Sequence, residues 1–366
     1  MKNESFSNID VRSNNKRRLT HLLFRTGQMT KQELSMKLGI SQPTVATILK
    51  ELTAAGLVEE GNVLDSTGGR KAQTHSPVKD ARYSVGVDVT EDFLRMVVIN
   101  LGNEIIAMDA KQHKFAYSDD DWKRVSSEVY AFIKENNIPA DRLLDLGITI
   151  EAPMREGEIV VENEAYAHID LKKAATFFDY PVKFRNNAKM AAMSQVWGGM
   201  RKDTFVFIRL DNTIRGAMMY NGMPIDFGKI NCEFGQLHSV NMGENVLNSV
   251  LGRRALLDKS NSTSVHTFIQ RVEDGDELCQ KLLDEYILEF SMFLYDMHCV
   301  FGWEIVIGGS MAKLVDKYHD RFDKTIRDYY YLAKPENEIF SITEFKEMDA
   351  AVGAALLPID RFLSES

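Results

Sequence analysis

The sequence predicts a mixed α/β protein in two unequal parts, an N-terminal winged helix-turn-helix and a larger body of two similar halves. Three observations carry this. Residues 1–80 hold 12 Lys/Arg against 8 Asp/Glu and the remainder holds 32 against 45, so a chain of net charge -9 has a basic head on an acidic body. Three helical patterns with capping signals precede Gly56. Beyond residue 80, strand-like and helix-like stretches alternate in two rounds of similar order. At 366 residues the chain also exceeds one ordinary domain of about 100–200 residues.

In the head, Leu19, Leu22, Leu23 and Phe24 recur at helical spacing between Asn14 and Arg25, ahead of Gly27. A second helix starts at Thr30, whose hydroxyl caps the first turn while Glu33, three residues on, completes a capping box. Leu34 and Leu38 face inward, and Gly39-Ile40 makes a tight turn. Ser41 caps a third helix over Gln42–Ala55, with Pro43 in its first turn where a missing N–H costs nothing. Val45, Ile48, Leu49 and Leu52 form its apolar stripe, leaving Gln42, Thr44, Thr47 and Lys50 toward solvent. A recognition helix presents such residues to the major groove, so Ser41, Gln42, Thr44, Val45, Thr47 and Lys50 are the candidate DNA contacts. Gly56–Glu60 reads as a strand and Ser66–Lys71 as a basic hairpin tip, together a wing that brings Gly69, Arg70 and Lys71 to phosphate or the minor groove. A three-helix bundle with an incidental basic loop is the blander reading, but caps, turn and Gly-Gly-Arg tip in this order favour double-stranded DNA as partner. Thr74–Lys79, containing Pro77, reads as a linker, so the head and linker span residues 1–79. A homodimer or dimer of dimers is expected, because such readers bind paired half-sites.

In the body, Tyr83–Asp88, Phe93–Asn100 and Glu104–Met108 read as an antiparallel set, Trp122–Asn136 as a helix and Leu144–Ile150 as a strand. The second round runs through a strand at Val182–Phe184, a helix at Ala188–Gly198 and a hairpin at Thr204–Leu210 and Gly216–Tyr220. No apolar run approaches the roughly 20 residues that span a bilayer, and the N-terminus lacks an apolar export segment. A cytoplasmic protein without a membrane partner is expected. Cys232, Cys279 and Cys299 are far apart, which argues against both a disulfide framework and a zinc knuckle.

From about Asn14 to the C-terminus these motifs resemble the ROK family of repressors, open reading frames and sugar kinases. The resemblance implies a two-lobed, actin-like sugar-kinase fold, with an N-terminal lobe over 80–187 and a C-terminal lobe over 188–366 whose last helix packs back on the first lobe. It also implies where a sugar and a nucleotide bind, and there this chain departs from its kinase relatives. The first phosphate segment, roughly Asp-Ile-Gly-Gly-Thr-Lys in the kinases, is Asp88-Val89-Thr90-Glu91-Asp92-Phe93 here, with both glycines gone and two carboxylates that repel phosphate. The second, a Gly-Thr-Gly-Ile-Gly turn, aligns with Asp211–Gly216. The sugar-proximal Asn-Asp pair is Asn186-Asn187, and an amide cannot accept the proton that the aspartate takes as general base.

The Gly-Glu-Ile-Gly-His segment resembles Cys232–Gln236, retaining Glu233 and placing Gln236 at the histidine. The zinc cysteines that follow it in the family are missing from Asn241–Val246, so no metal and no cofactor are expected. Glu151 and Ala152 replace residues of a loop beside the sugar, and Glu151 reads equally as ligand contact or surface carboxylate. Ile305–Ser310 and Ala350–Leu357 read as scaffold. The resemblance thus implies a DNA-binding regulator, most simply a repressor of carbohydrate genes. Its inactive kinase-like body would bind a sugar or sugar derivative through Asn186, Asn187, Glu233, Gln236 and Glu151. The alternatives are an active sugar kinase with a DNA-binding head and a ligand-independent DNA-binding dimer.

Overall fold

The computed structural model describes residues 8–64, 72–155, 157–160, 166, 168–197, 204–225, 232–239, 245–329 and 338–365. The head comprises α1 (Asn8–Thr26), β1 (Met29–Thr30), α2 (Lys31–Leu38), α3 (Gln42–Ala54), β2 (Val58–Leu64) and β3 (Ala72–Pro77). Its helices start where side chains satisfy free backbone N–H groups. The Thr30 hydroxyl accepts from the Glu33 N–H at 3.3 Å, the Glu33 carboxylate accepts from the Thr30 N–H at 2.7 Å, and Ser41 accepts from the Thr44 N–H at 3.4 Å. Gly39 ends α2 at φ 67°, a left-handed conformation that costs glycine nothing. Leu19, Leu23, Leu34, Val45, Ile48, Leu49 and Leu52 interlock as the core beneath.

Two expectations for the head need correction. Helix α1 begins at Asn8, ahead of the apolar pattern, because its first turns are polar. The stretch Thr74–Lys79 is not a linker. Most of it is β3, the wing's return strand, which pairs with β2 on one side and with β1 on the other, Met29 opposite His75. Its polar composition, Ala-Gln-Thr-His-Ser-Pro, conceals it, although Thr74 and His75 are buried. The wing tip, including Gly69, Arg70 and Lys71, lies outside the described residues.

The body repeats one topology. The first lobe contains β4 (Tyr83–Val89), β5 (Phe93–Asn100), β6 (Ile105–Gln112), α4 (Asp119–Glu135), β7 (Leu143–Ile150), the small pair β8 (Met154–Arg155) and β9 (Glu158–Ile159), α5 (Leu171–Ala175) and β10 (Val182–Asn186). Its sheet order is β10-β7-β4-β5-β6, with β4, β5 and β6 antiparallel and β7 and β10 added in parallel. The second lobe opens with α6 (Asn187–Trp197), whose Ala191 and Ala192 pack with Phe205, Phe207 and Ala217, and continues with β11 (Phe205–Leu210), β12 (Ile214–Tyr220), β13 (Met223–Pro224), α7 (Leu247–Leu251), α8 (Arg253–Ser260), α9 (Val265–Glu273), α10 (Glu277–Phe301), β14 (Ile305–Gly308), α11 (Ala312–Lys317), α12 (His319–Tyr329), β15 (Phe340–Ile342) and α13 (Asp349–Glu365). The order β13-β12-β11-β14-β15 reproduces the first sheet strand for strand.

Helix α13 ties the parts together. It packs on β4, β5 and β7 of the first lobe, on α6, and on α1 of the head. The approach is close because its inner face is small: Ala350, Ala351, Gly353, Ala354 and Ala355 are all buried. A Cβ on Gly86 would collide with the Ala351 carbonyl, and one on Gly353 with the Met190 carbonyl of α6. Toward its C-terminus the helix contributes Leu356, Ile359 and Leu363 to the same apolar cluster as the head's core. Burying each such side chain contributes about 1.5–3 kcal/mol, enough to hold head and body in register.

Candidate DNA-binding face and interlobe cleft

On α3, Ser41, Gln42, Thr47 and Lys50 are exposed and Thr44 half-buried, forming one accessible polar face at the helix's N-terminal half. The Thr47 hydroxyl donates to the Pro43 carbonyl at 3.0 Å, and the Ser41 and Thr44 hydroxyls lie 2.8 Å apart. Val45 does not belong to this face. It is 0% exposed in the head's core, because it lies on the helix side that packs inward, and it cannot reach a base edge.

The cleft between the lobes is built around ion pairs. Asp88, near the end of β4, is 0% exposed and accepts from Arg209 of β11 at 2.7 Å, from Arg95 of β5 at 3.3 Å and from the Thr149 hydroxyl at 2.8 Å. Arg209, 2% exposed, also donates to Asp211 at 2.6 Å, and Asp211 accepts from the Ser310 N–H at 3.0 Å. One chain of charges thus crosses from the first lobe to the second. Burial alone would raise the Asp211 carboxyl, but Arg209, Arg95 and the bonds from Ser310 outweigh it and hold Asp211 at about 2. The same carboxylates raise Arg209 despite its burial.

Above this floor lies a second group. Arg215 of β12 sits opposite Arg209 in register, donates to Glu233 at 3.0 Å and to the Tyr166 hydroxyl at 2.7 Å, and is 8% exposed. Burial pushes the Glu151 carboxyl up; Arg215 and Arg209 oppose the shift, while Asp211 and Asp88 add to it. Burial likewise raises Tyr117 beside Glu151. Asn186 donates to the Ala152 carbonyl at 2.8 Å and accepts from the Lys189 N–H at 3.0 Å, so it fixes the start of α6 against the 151–153 loop. Asn187 is 1% exposed, and its side-chain oxygen is buried without a hydrogen-bond partner. One guanidinium nitrogen of Arg215 and one of Arg209 are in the same condition.

Arg215 therefore links Glu233 to the surroundings of Glu151, and Asn186 contacts the neighbouring residue, Ala152. Gln236 ends a short turn after Glu233 and is exposed. Sequence reasoning missed Arg209 and Arg215. Their signal is an arginine at an inward position of an apolar strand, where only a buried acidic partner tolerates it. The arrangement offers spare N–H donors, an amide oxygen and carboxylates, the mixed inventory that suits hydroxyl groups.

The chain thus joins a winged helix-turn-helix to a duplicated, two-lobed body. Residues 84–361 match the model described as ROK family, and residues 12–59 match one described as winged helix-turn-helix DNA-binding. The chain belongs to the ROK family. It is 19% identical over 370 residues to a xylose repressor of Caldicellulosiruptor bescii, covering 92% of this chain and 93% of that one. It is 24% identical over 246 residues to the xylose repressor of Bacillus subtilis, a match that spans 62% of this chain and just under two thirds, 64%, of that repressor. Among solved structures, a ROK family transcriptional regulator, a homologue of the E. coli MLC protein, superposes with a TM-score of 0.73 at 18% identity and covers 97% of each chain. A ROK family glucokinase from Streptomyces griseus, in complex with glucose and AMPPNP, superposes at 0.61 and 17% identity over 75% of this chain and 98% of its own. Among the described residues, no helix is long and apolar enough to cross a membrane.

Proposed function

We propose that this chain is a DNA-binding repressor of sugar-metabolism genes whose effector, a sugar held between the lobes, is bound but not phosphorylated. One observation carries the reading: α13 packs at once on the first lobe, on the helix that starts at Asn187, and on α1 of the DNA-binding head. A change in lobe closure therefore reaches the head through one continuous helix. Asn187 and Glu233 supply hydrogen bonds to sugar hydroxyls, with Arg215, Glu151 and Asn186 shaping the pocket around them. The Asn187 amide holds a hydroxyl without removing its proton, so the transfer step lacks its base. On the DNA side, Gln42, Thr44, Thr47 and Lys50 read the major groove from α3, and Arg70 and Lys71 of the wing hold phosphate. Two heads in a homodimer span paired half-sites. The names of the relatives support a pentose such as xylose as the first effector to test.

The test is fluorescence anisotropy of the purified chain with labelled DNA from upstream of its own gene, with and without D-xylose and a panel of neutral sugars. A coupled ADP-release assay runs on the same panel. One sugar is expected to weaken DNA binding about 5- to 150-fold, the usual range of allosteric coupling, with no ADP released. No effect of any sugar on either DNA affinity or melting temperature would remove the effector from the reading, and turnover would replace it by a kinase with a DNA-binding head.

A further inference from the structure

We infer that the turn Thr90–Phe93 is an interlobe latch: its carboxylates clamp the arginines at the start of α8 and hold the cleft closed without any bound anion. The turn is rigid. The Thr90 N–H donates to the Phe93 carbonyl at 2.9 Å, and the Phe93 N–H returns to the Thr90 hydroxyl at 3.1 Å. The His113 and Phe115 N–H groups bind the carbonyls of Asp92 and Glu91 at 2.8 and 2.9 Å. The first lobe thus presents two carboxylates on a fixed arm.

The second lobe presents a matching set of donors. Arg253 pairs with Asp92, the Asn212 amide donates to the same Asp92 oxygen at 2.7 Å, and Arg254 reaches Glu91 at 2.9 Å. The tiers differ in exposure, which decides their weight. Arg253 and Asp92 are 14% and 21% exposed, so their attraction is only partly screened, whereas Arg254 and Glu91 are 51% and 52% exposed and contribute little. Phe93 reinforces the inner tier: the Arg253 guanidinium lies 5.2 Å from its ring centroid and that of Arg95 lies 4.7 Å away. Gly252 brings the start of α8 against the Asn212 carbonyl so closely that a Cβ would collide there. Every partner of Asp92 across the cleft is therefore on a braced element.

The consequence is a cleft whose closure is supplied by the chain itself. A ligand that prefers closed lobes then meets a largely preorganised site, and removing the latch lowers its apparent affinity by the fraction of closed molecules lost. This last step rests on the reading that the cleft takes a sugar; the closure itself does not.

The experiment measures the two separately in the full chain. Spin labels at Ser127→Cys on α4 and Lys281→Cys on α10, both exposed positions, report the interlobe distance by pulsed electron resonance once Cys232 and Cys299 are serine. In D92N and in R253Q the distance distribution is expected to broaden and move outward, and in the charge-swapped pair D92R/R253D to return toward the parent. Calorimetric titration with the sugar that acts in the DNA assay is expected to show about a tenfold weaker affinity in each single variant. Unchanged distances in both single variants overturn the latch, whatever the sugar does. Outward distances with no sugar bound by the parent uphold the latch and reject the sugar reading instead. Circular dichroism melting selects variants that remain folded, and E91Q, which loosens only the exposed tier, is expected to leave the distance within the parent's width.

Discussion

Asp88, Arg209 and Asp211 concentrate three charges where the apolar core of either lobe would otherwise begin, and their stability depends on mutual pairing. Truncating one partner leaves buried charge uncompensated, which costs about 3–5 kcal/mol. Arg209→Ala is therefore expected to lower the unfolding free energy of the body, measured by urea titration, by that amount, and a loss below about 1 kcal/mol would contradict the pairing. The pH dependence follows the same pair. Asp211 is held at about 2, below its ordinary 3.8, so its contribution is complete above pH 3.8 and is lost as pH falls through about 2. Much of this scale was legible in the sequence where the chemistry is local. Thr30, Glu33 and Ser41 cap the helices they were expected to cap, because the bonds span three residues. Arg209 and Arg215 were legible only as arginines at inward positions of apolar strands; what they pair with was not, because Asp88 and Glu233 arrive from other strands and loops. Val45 was assigned to two faces of one helix, and burial selects the core.

Among the elements, α13 has the most constrained surface. Its alanine and glycine face admits α6 and β4 at backbone distance, and Pro358 removes one hydrogen bond from its ladder beyond that face. Gly353→Ala places a methyl group against the Met190 carbonyl, where overpacking costs about 1–3 kcal/mol. The variant is expected to melt lower and to bind both DNA and sugar while the sugar no longer shifts DNA affinity. A variant that matches the parent in melting and in coupling would exclude α13 as the connecting element. Elements with clean periodicity were readable in advance: β5 spans Phe93–Asn100, the range its sequence predicts. The wing strand β3 was hidden by polar residues, whereas α10 carries its buried stripe, Cys279, Leu283, Ile287, Phe290 and Leu294, at regular helical spacing in the sequence itself, although it was not assigned there.

At the level of the whole molecule, a basic head and an acidic body form one continuous structure, since α1 and α13 share an apolar cluster with β5. The duplication of the lobes was visible as two rounds of strands and helices, but the continuity between head and body was not, because contacts between distant segments leave no local pattern. That continuity makes the account a thermodynamic one. If a sugar between the lobes and an operator on α3 act on the same two arrangements, each changes the other's affinity by an identical factor. The most direct measurement is calorimetric titration of the sugar into the free chain and into the chain saturated with operator DNA, set beside the DNA affinities with and without sugar. The account predicts that operator DNA weakens sugar binding by the same factor by which sugar weakens DNA binding. Equal sugar affinity with and without operator would contradict it.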